Sequence, residues 1–118
     1  MFLFSKIIDQ KVFLESVGDD TCHLETLIHI FEEQARDNIA HMYTALGQND
    51  YDAFERAAHD IKNLGRNIAA DKLIQHSQML EELAGRRELD DVDELIKETQ
   101  KLLSKAQVEL VKIRKRFK

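Results

Sequence analysis

Turn-forming residues are scarce throughout this chain. Its 118 residues contain no proline and only four glycines. A sheet protein needs Gly, Asn or Pro at nearly every hairpin, so a β-rich fold is difficult to build from this sequence. The rest of the composition, 43% hydrophobic and 33% charged, is rich in the helix formers Leu, Ala, Glu, Lys and Gln. The sequence therefore predicts an all-α protein.

Short breaks divide the chain into five predicted helices. The breaks lie at residues 18–20, 47–50, 69–71 and 85–91, where Gly, Asp, Asn and Ala cluster. Between them, apolar residues recur at the three- and four-residue steps of amphipathic helices. The first helical stretch, about residues 9–17, is too short to be stable without tertiary packing, and we expect it to form a lid.

The four longer stretches predict a helical bundle. The second helix is expected over about residues 21–46, and Asp50 is expected to cap the third. The fourth is expected to start near Asp71 and to end at Gly85, and Asp90 and Asp91 are expected to cap the fifth. Long amphipathic helices with short connections pack most simply as an antiparallel up-and-down four-helix bundle, to which the short N-terminal helix is added.

Charge and cysteine content exclude several classes of protein. Cys22 is the single cysteine, so neither an internal disulfide nor a cysteine-based zinc site is expected, which fits the cytoplasm. Lys6 and Asp9 interrupt the apolar start of the chain, residues 2–4, too early for a signal peptide or a membrane span. The net charge of −5 argues against nucleic-acid binding, and the basic residues of 112–118 are expected to interact with the C-terminal dipole of the last helix. We expect one monomeric cytoplasmic domain, residues 1–118, with no membrane insertion.

His59 is the histidine best placed for chemistry. At ~100° per residue it lies roughly 160° from the apolar stripe of its helix, on the outward side that Asn63 and Arg66 share. An exposed neutral imidazole keeps a lone pair for attack on phosphorus. Lys62, one turn later, flanks it and could balance the charge of a phosphoryl group. The same pattern also fits an ordinary solvated helix face, and the spacing alone leaves both interpretations open.

Two other kinds of site have weaker support. His23 and His29 lie near Glu25 and Glu33 on the second helix, which could suggest a bundle metal site of the carboxylate type. The chain contains no Glu-x-x-His pair, however, and the spacing argues against a metal. It also has no glycine-rich phosphate loop for ATP. We therefore expect neither a bound cofactor nor a metal, and no enzyme activity of its own.

The third predicted helix carries a family resemblance. Residues 57–70, AAHDIKNLGRNIAA, followed by Leu73 and by Leu80 and Glu81, resemble the histidine phosphotransfer (HPt) domain family. Residues 17–19, 45–46 and 49–50, together with Phe31, are also similar to the pattern of that family, so the resemblance covers almost the whole chain. Its core motif, a His followed by Lys at i+3, is short, but its place in the order of helices makes it fairly specific.

The resemblance implies a phosphorelay function. A surface histidine, here His59, would accept a phosphoryl group from a receiver-domain aspartate and pass it to another receiver. Lys62 would stabilise the phosphoryl charge. Glu81 stands where many members have a polar residue, often Gln, and could hold the far N–H of the imidazole.

The implied partners are receiver domains of response regulators, of hybrid sensor histidine kinases, or of both. Asp60, Asn63 and Arg66 surround the histidine in sequence and would contribute to the docking surface. Magnesium and the acidic pocket that transfer requires would come from the receiver, because this chain offers no such pocket.

Three positions depart from the family pattern. Members usually have Gly in place of Asn63, Ala or a small hydroxyl residue in place of Gly65, and Gly in place of Ala69. Asn63 could narrow the choice of partner or slow transfer, which keeps open the alternative of a bundle that docks a kinase or receiver without being phosphorylated. Gly65 lies on the inward stripe and predicts a close approach between helices.

Overall fold

The computed structural model describes residues 6–18 and 20–116, which form five helices and no strand. In chain order these are α1 (Gln10–Val17), α2 (Thr21–Gly47), α3 (Tyr51–Asn67), α4 (Asp71–Gly85) and α5 (Asp93–Arg116). Helices α2 and α4 each pack against both α3 and α5, so α3 and α5 occupy opposite corners of the bundle. The predicted four-helix bundle with a short additional N-terminal helix is confirmed. Of the residues used for prediction, 2–4, Asp19 and Lys118 lie outside the described part.

Aspartate side chains set where three of the helices begin. Asp9, Asp20 and Asp50 each accept a hydrogen bond from the backbone N–H three residues later, at 3.2, 2.9 and 3.1 Å. Such a cap satisfies an amide that the first turn leaves without a partner and stabilises a helix by about 1 kcal/mol. The prediction that Asp50 caps the third helix is confirmed.

Helix α5 begins later than the sequence suggested. Asp90 and Asp91 lie in an exposed turn, and the first intrahelical bond runs from the Ile96 N–H to the carbonyl oxygen of Val92 at 2.9 Å. The prediction that the two aspartates cap this helix is therefore wrong. Val92 is only 2% exposed, and its burial in the core fixes the position from which the helix starts.

The N-terminal segment is tied to the far end of the chain. The backbone N–H groups of Ile7 and Ile8 donate to the two carboxylate oxygens of Glu109 in α5, at 2.7 and 2.9 Å. The Asp9 N–H then donates to the carbonyl oxygen of Ala69 at 2.9 Å. Because Phe13 is buried in the same core, α1 is held across the end of the bundle beside the C-terminus of α3.

Helices α3 and α4 approach each other closely at Gly65. A Cβ atom at this position would lie 3.0 Å from Cγ1 of Ile74 and 3.3 Å from its backbone nitrogen. The close approach predicted from the glycine is thus confirmed. The connection that follows turns sharply, with Ala69 in the left-handed region at a φ of 57°. Glycine adopts that conformation without a steric penalty, which explains why glycine suits this turn in related sequences.

Candidate functional site

The His59 side chain projects from α3 into solvent. Its side chain is 48% exposed, whereas its neighbours Ala58 and Ile61 are fully buried in the core. The outward position predicted from helical geometry is confirmed. One edge of the imidazole ring faces α4.

Lys62 lies between the two helices rather than on the solvated face. Its side chain is only 9% exposed, and its ammonium group donates to Glu81 Oε1 at 2.5 Å and to Gln78 Oε1 at 3.1 Å. Lys62 therefore flanks His59 through the carboxylate of Glu81 that both contact, but it is buried rather than solvated. A charged group is stable at such a depth only when it is paired and hydrogen-bonded, and both conditions hold here.

Glu81 connects His59 to Lys62. While Oε1 accepts from Lys62, Oε2 lies 2.8 Å from Nδ1 of His59. Burial by itself would raise the pKa of the Glu81 carboxyl. Hydrogen bonds from Lys62 and His59, together with the positive charge of Lys62, outweigh that effect and leave the pKa below its ordinary value of 4.5. The carboxylate is therefore ionised at neutral pH.

An ionised Glu81 determines which nitrogen of His59 carries the proton. A carboxylate only accepts hydrogen bonds, so Nδ1 must be the donor. The lone pair of a neutral ring then resides on Nε2, on the opposite side of the imidazole from Glu81. The arrangement presents a nucleophilic nitrogen whose ring is held in one orientation.

Gln78 completes the network and was not identified from the sequence. Its Oε1 accepts from Lys62, and its Nε2 donates to Oε2 of Glu82 at 2.9 Å. Residues three apart on a helix share a face, so the position of Gln78 one turn before Glu81 was the sequence feature that could have identified Gln78 as part of the site. The family resemblance placed Glu81 beside the imidazole, but the periodicity of α4 did not indicate that Gln78 meets Lys62.

Asp60, Asn63 and Arg66 lie on the exposed side of α3, as predicted, but outside the network of Glu81. Arg66 Nη1 lies 3.5 Å from Asn63 Oδ1, at the limit of a hydrogen bond. Asp60 forms no side-chain hydrogen bond or ion pair with the part of the chain that the structure describes. These three residues therefore lie around His59 in the described structure but do not orient its imidazole ring by hydrogen bonds.

A groove opens beyond Arg66, toward α1. Its volume is about 330 Å³. Val12 of α1, which is 51% exposed, and Leu27 of α2 supply apolar surface, while Ser16 and His23 supply polar groups. Because Arg66 lies on the same side of α3 as His59, this groove continues the exposed surface around the imidazole.

The other histidines do not assemble a comparable site. His29 pairs with Glu33 at 3.3 Å on the exposed surface of α2, and His76 pairs with Glu98 at 3.3 Å between α4 and α5. Across residues 6–18 and 20–116, no group of three His, Cys, Asp or Glu side chains is placed to hold a metal ion. Within the same ranges, no helix is long and apolar enough to cross a membrane.

Comparison with known proteins identifies the architecture. The family model of the Hpt domain matches residues 26–109, a range that contains α3, α4 and the whole network around Glu81. The chain belongs to the Hpt domain family. Hpt proteins are phosphocarriers rather than classical enzymes, so this chain is a histidine phosphotransfer protein of a phosphorelay.

A solved Hpt structure has the same fold. The crystal structure of histidine-containing phosphotransfer protein B (HptB) from Pseudomonas aeruginosa PAO1 matches with a TM-score of 0.79 and 25% sequence identity. The match covers 98% of this chain and 100% of the HptB chain. No curated protein sequence matches the chain. The similarity to HptB therefore extends beyond α3 and α4 to nearly the entire Hpt domain described above.

Proposed function

We propose that His59 is the phosphoacceptor of this Hpt domain, taking a phosphoryl group from the aspartate of one receiver domain and delivering it to the aspartate of another. The observation that carries the proposal is the Glu81 carboxylate, which holds Nδ1 of His59 and leaves Nε2 free. A half-exposed histidine with an oriented ring and a free nucleophilic nitrogen is what transfer between two proteins requires.

The chemical step uses the network directly. Nε2 attacks phosphorus, the new N–P bond forms as the P–O bond to the donor aspartate breaks, and the aspartate leaves as a carboxylate. The ring becomes cationic because Nδ1 keeps its proton, and the negative charge of Glu81 offsets that cation at 2.8 Å. In the second transfer the acceptor aspartate attacks phosphorus, the N–P bond breaks, and the ring returns to its neutral form.

Lys62 supplies the charge that the phosphoryl group needs. In the unphosphorylated protein its ammonium group is shared between Glu81 and Gln78. Since Lys62 follows His59 by one helical turn, a modest rotation of its side chain brings the ammonium toward the phosphoryl oxygens. Gln78 accepts from the same ammonium at 3.1 Å and provides a second acceptor beside Glu81.

The receiver supplies the remaining machinery. Magnesium and the acidic pocket that holds it belong to the receiver domain, of a response regulator or of a hybrid sensor histidine kinase. We place the docking surface around His59, Asn63 and Arg66, extending into the groove that Val12 and Leu27 line. Because the bundle covers its own apolar stripes, a cytoplasmic monomer is sufficient for this exchange.

Transfer of radiolabel from a phosphorylated receiver tests the proposal. We expect acid-labile label on the wild-type chain and none on His59→Gln. His41→Gln removes an exposed histidine outside the site and serves as the matched control, with label equal to wild type. Undiminished label on His59→Gln would eliminate His59 as the phosphoacceptor.

Asn63 favours a second candidate function, docking without phosphorylation. It is exposed one turn after His59, at the place where the family usually has Gly, and a larger side chain there restricts how closely a receiver can approach. Tight binding of a phosphorylated receiver without label on the chain would favour this candidate. Recovery of label in Asn63→Gly would then identify Asn63 as the obstacle.

A further inference from the structure

Lys62 is held by two residues of α4. Its ammonium group carries three N–H donors, and Glu81 Oε1 and Gln78 Oε1 accept from it at 2.5 and 3.1 Å. Within residues 6–18 and 20–116 it donates to no third side chain or carbonyl oxygen. One N–H therefore remains for a phosphoryl oxygen, and the two acceptors on α4 set the position from which the ammonium turns toward that oxygen.

The two acceptors differ in charge. Glu81 is an ionised carboxylate, so it offsets the positive charge of Lys62 while it holds the ammonium. Gln78 is neutral, and its amide oxygen restrains the ammonium without cancelling that charge. With Glu81 alone, the ammonium would swing about a single contact. Gln78 therefore fixes the position of the cation and leaves its charge for the phosphoryl group.

The amide of Gln78 satisfies its contacts in one orientation only. An ammonium group only donates hydrogen bonds, so Oε1 must face Lys62. A carboxylate only accepts them, so Nε2 must face Oε2 of Glu82, which lies 2.9 Å away. The reversed amide would place its NH2 group against the ammonium and its oxygen against the carboxylate. Glu82 thus helps to keep the amide oxygen turned toward Lys62.

The contact across the two helices distinguishes Gln78 and Glu82 from an ordinary surface pair. Polar residues four apart commonly hydrogen-bond on the exposed face of a helix. Here the same amide also reaches α3, where the Lys62 side chain is only 9% exposed. A buried ammonium depends on its hydrogen bonds more than a solvated one does. A water molecule that took the place of the amide oxygen would not be anchored to α4, so it would hold the ammonium less firmly.

We propose that Gln78 is a positioning residue for phosphoryl transfer and that Glu82 orients it. The inference rests on the function proposed above, in which His59 takes the phosphoryl group and Lys62 balances its charge. Glu82 fixes the amide of Gln78, and the amide oxygen fixes the ammonium of Lys62. Neither Gln78 nor Glu82 touches the phosphoryl group, so both act through the lysine.

Single-turnover transfer of label from a phosphorylated receiver, measured over a range of receiver concentrations, tests the proposal on the full-length chain. In Gln78→Leu we expect the rate at saturating receiver to fall about three- to tenfold, because the cation is less well placed for the transfer step. The receiver concentration that gives half of the maximal rate should change less than about twofold, because docking is not altered. Gln75→Leu makes the same change at an exposed residue one turn earlier on α4, and both values should stay at the wild-type level.

Two variants of Glu82 test the orientation of the amide. Glu82→Leu removes the acceptor for Nε2 of Gln78, so the amide turns freely, and the saturated rate should fall about two- to threefold. Glu82→Gln supplies an amide oxygen that accepts from the same Nε2, and it should restore the rate that the leucine variant loses. Equal rates in the two variants would overturn the orienting role of Glu82.

A double-mutant cycle shows whether Gln78 acts through Lys62. In a Lys62→Met background, Gln78→Leu should change the rate less than about twofold, because the group that it positions is absent. An equal loss in both backgrounds, or a wild-type rate in Gln78→Leu alone, would overturn the proposal. Circular dichroism verifies that each variant is folded. Label that persists in His59→Gln would instead refute the phosphoacceptor assignment, so the two failures are distinguishable.

Discussion

Glu81 and His59, 22 residues apart in the sequence, are joined by a hydrogen bond of 2.8 Å between a carboxylate oxygen and Nδ1. This bond connects α4 to the imidazole of α3 and fixes the tautomer of the ring. Because the other oxygen of the same carboxylate accepts from Lys62, a single side chain sets both the orientation of the nucleophile and the position of the nearby cation.

Replacing Glu81 with Gln should slow phosphorylation of the protein about three- to tenfold. The amide oxygen can still accept from Nδ1, but the variant loses the negative charge that offsets the cationic ring during transfer. The measurement is the initial rate of label transfer from a phosphorylated receiver. Glu33→Gln breaks a comparable pair with His29 on the surface of α2 and should transfer at the wild-type rate. Equal rates in all three proteins would show that the charge of Glu81 has no part in the step.

Replacing Lys62 with Met should slow transfer at least about tenfold while the protein remains folded. Methionine retains most of the buried volume of the lysine stem and removes only the ammonium group that would meet the phosphoryl oxygens. Transfer rates and thermal unfolding are measured together, with Lys72→Met as the exposed control. A wild-type transfer rate in Lys62→Met would remove this lysine from the mechanism.

The stability contributed by Glu81 should depend on pH in a defined direction. Its pKa in the folded protein is lowered below the ordinary value of 4.5, so the unfolded chain takes up a proton at this group before the folded protein does. The contribution is complete above that ordinary value and is lost as the pH falls through the lowered pKa. Urea unfolding of wild type and Glu81→Gln across this range should show a difference in the free energy of unfolding that shrinks toward low pH. A difference that grows toward low pH would contradict the lowered pKa.

Replacing Gly65 with Ala should destabilise the protein by about 1 kcal/mol, although alanine is the better helix former. The new methyl group would meet the backbone nitrogen of Ile74 at 3.3 Å, and backbone yields less readily than a side chain. Gly47→Ala is the matched control, because no atom lies within 4 Å of a Cβ there, and it should be neutral or stabilise by up to about 1 kcal/mol. Denaturant unfolding measures both. A gain in stability in Gly65→Ala would mean that α4 moves aside easily.

The sequence by itself determined the features that depend on neighbouring residues along one helix. The apolar stripes and the outward direction of His59 follow from the fixed rotation of about 100° per residue. The same geometry placed Asn63 and Arg66 on the exposed face of α3. The cap at Asp50 follows from a short acceptor side chain directly before the first turn, where backbone N–H groups lack partners. Local rules suffice for these features because each involves residues only a few positions apart.

Tertiary structure decided which helix faces meet. The approach of α3 and α4 at Gly65 sets the register that brings Glu81 and Gln78 onto Lys62, and it buries a lysine that a single helix would leave exposed. The start of α5 was likewise decided by burial of Val92 rather than by the aspartates before it. These outcomes depend on how side chains from different helices fill one core, and the periodicity of a single helix carries no information about that packing.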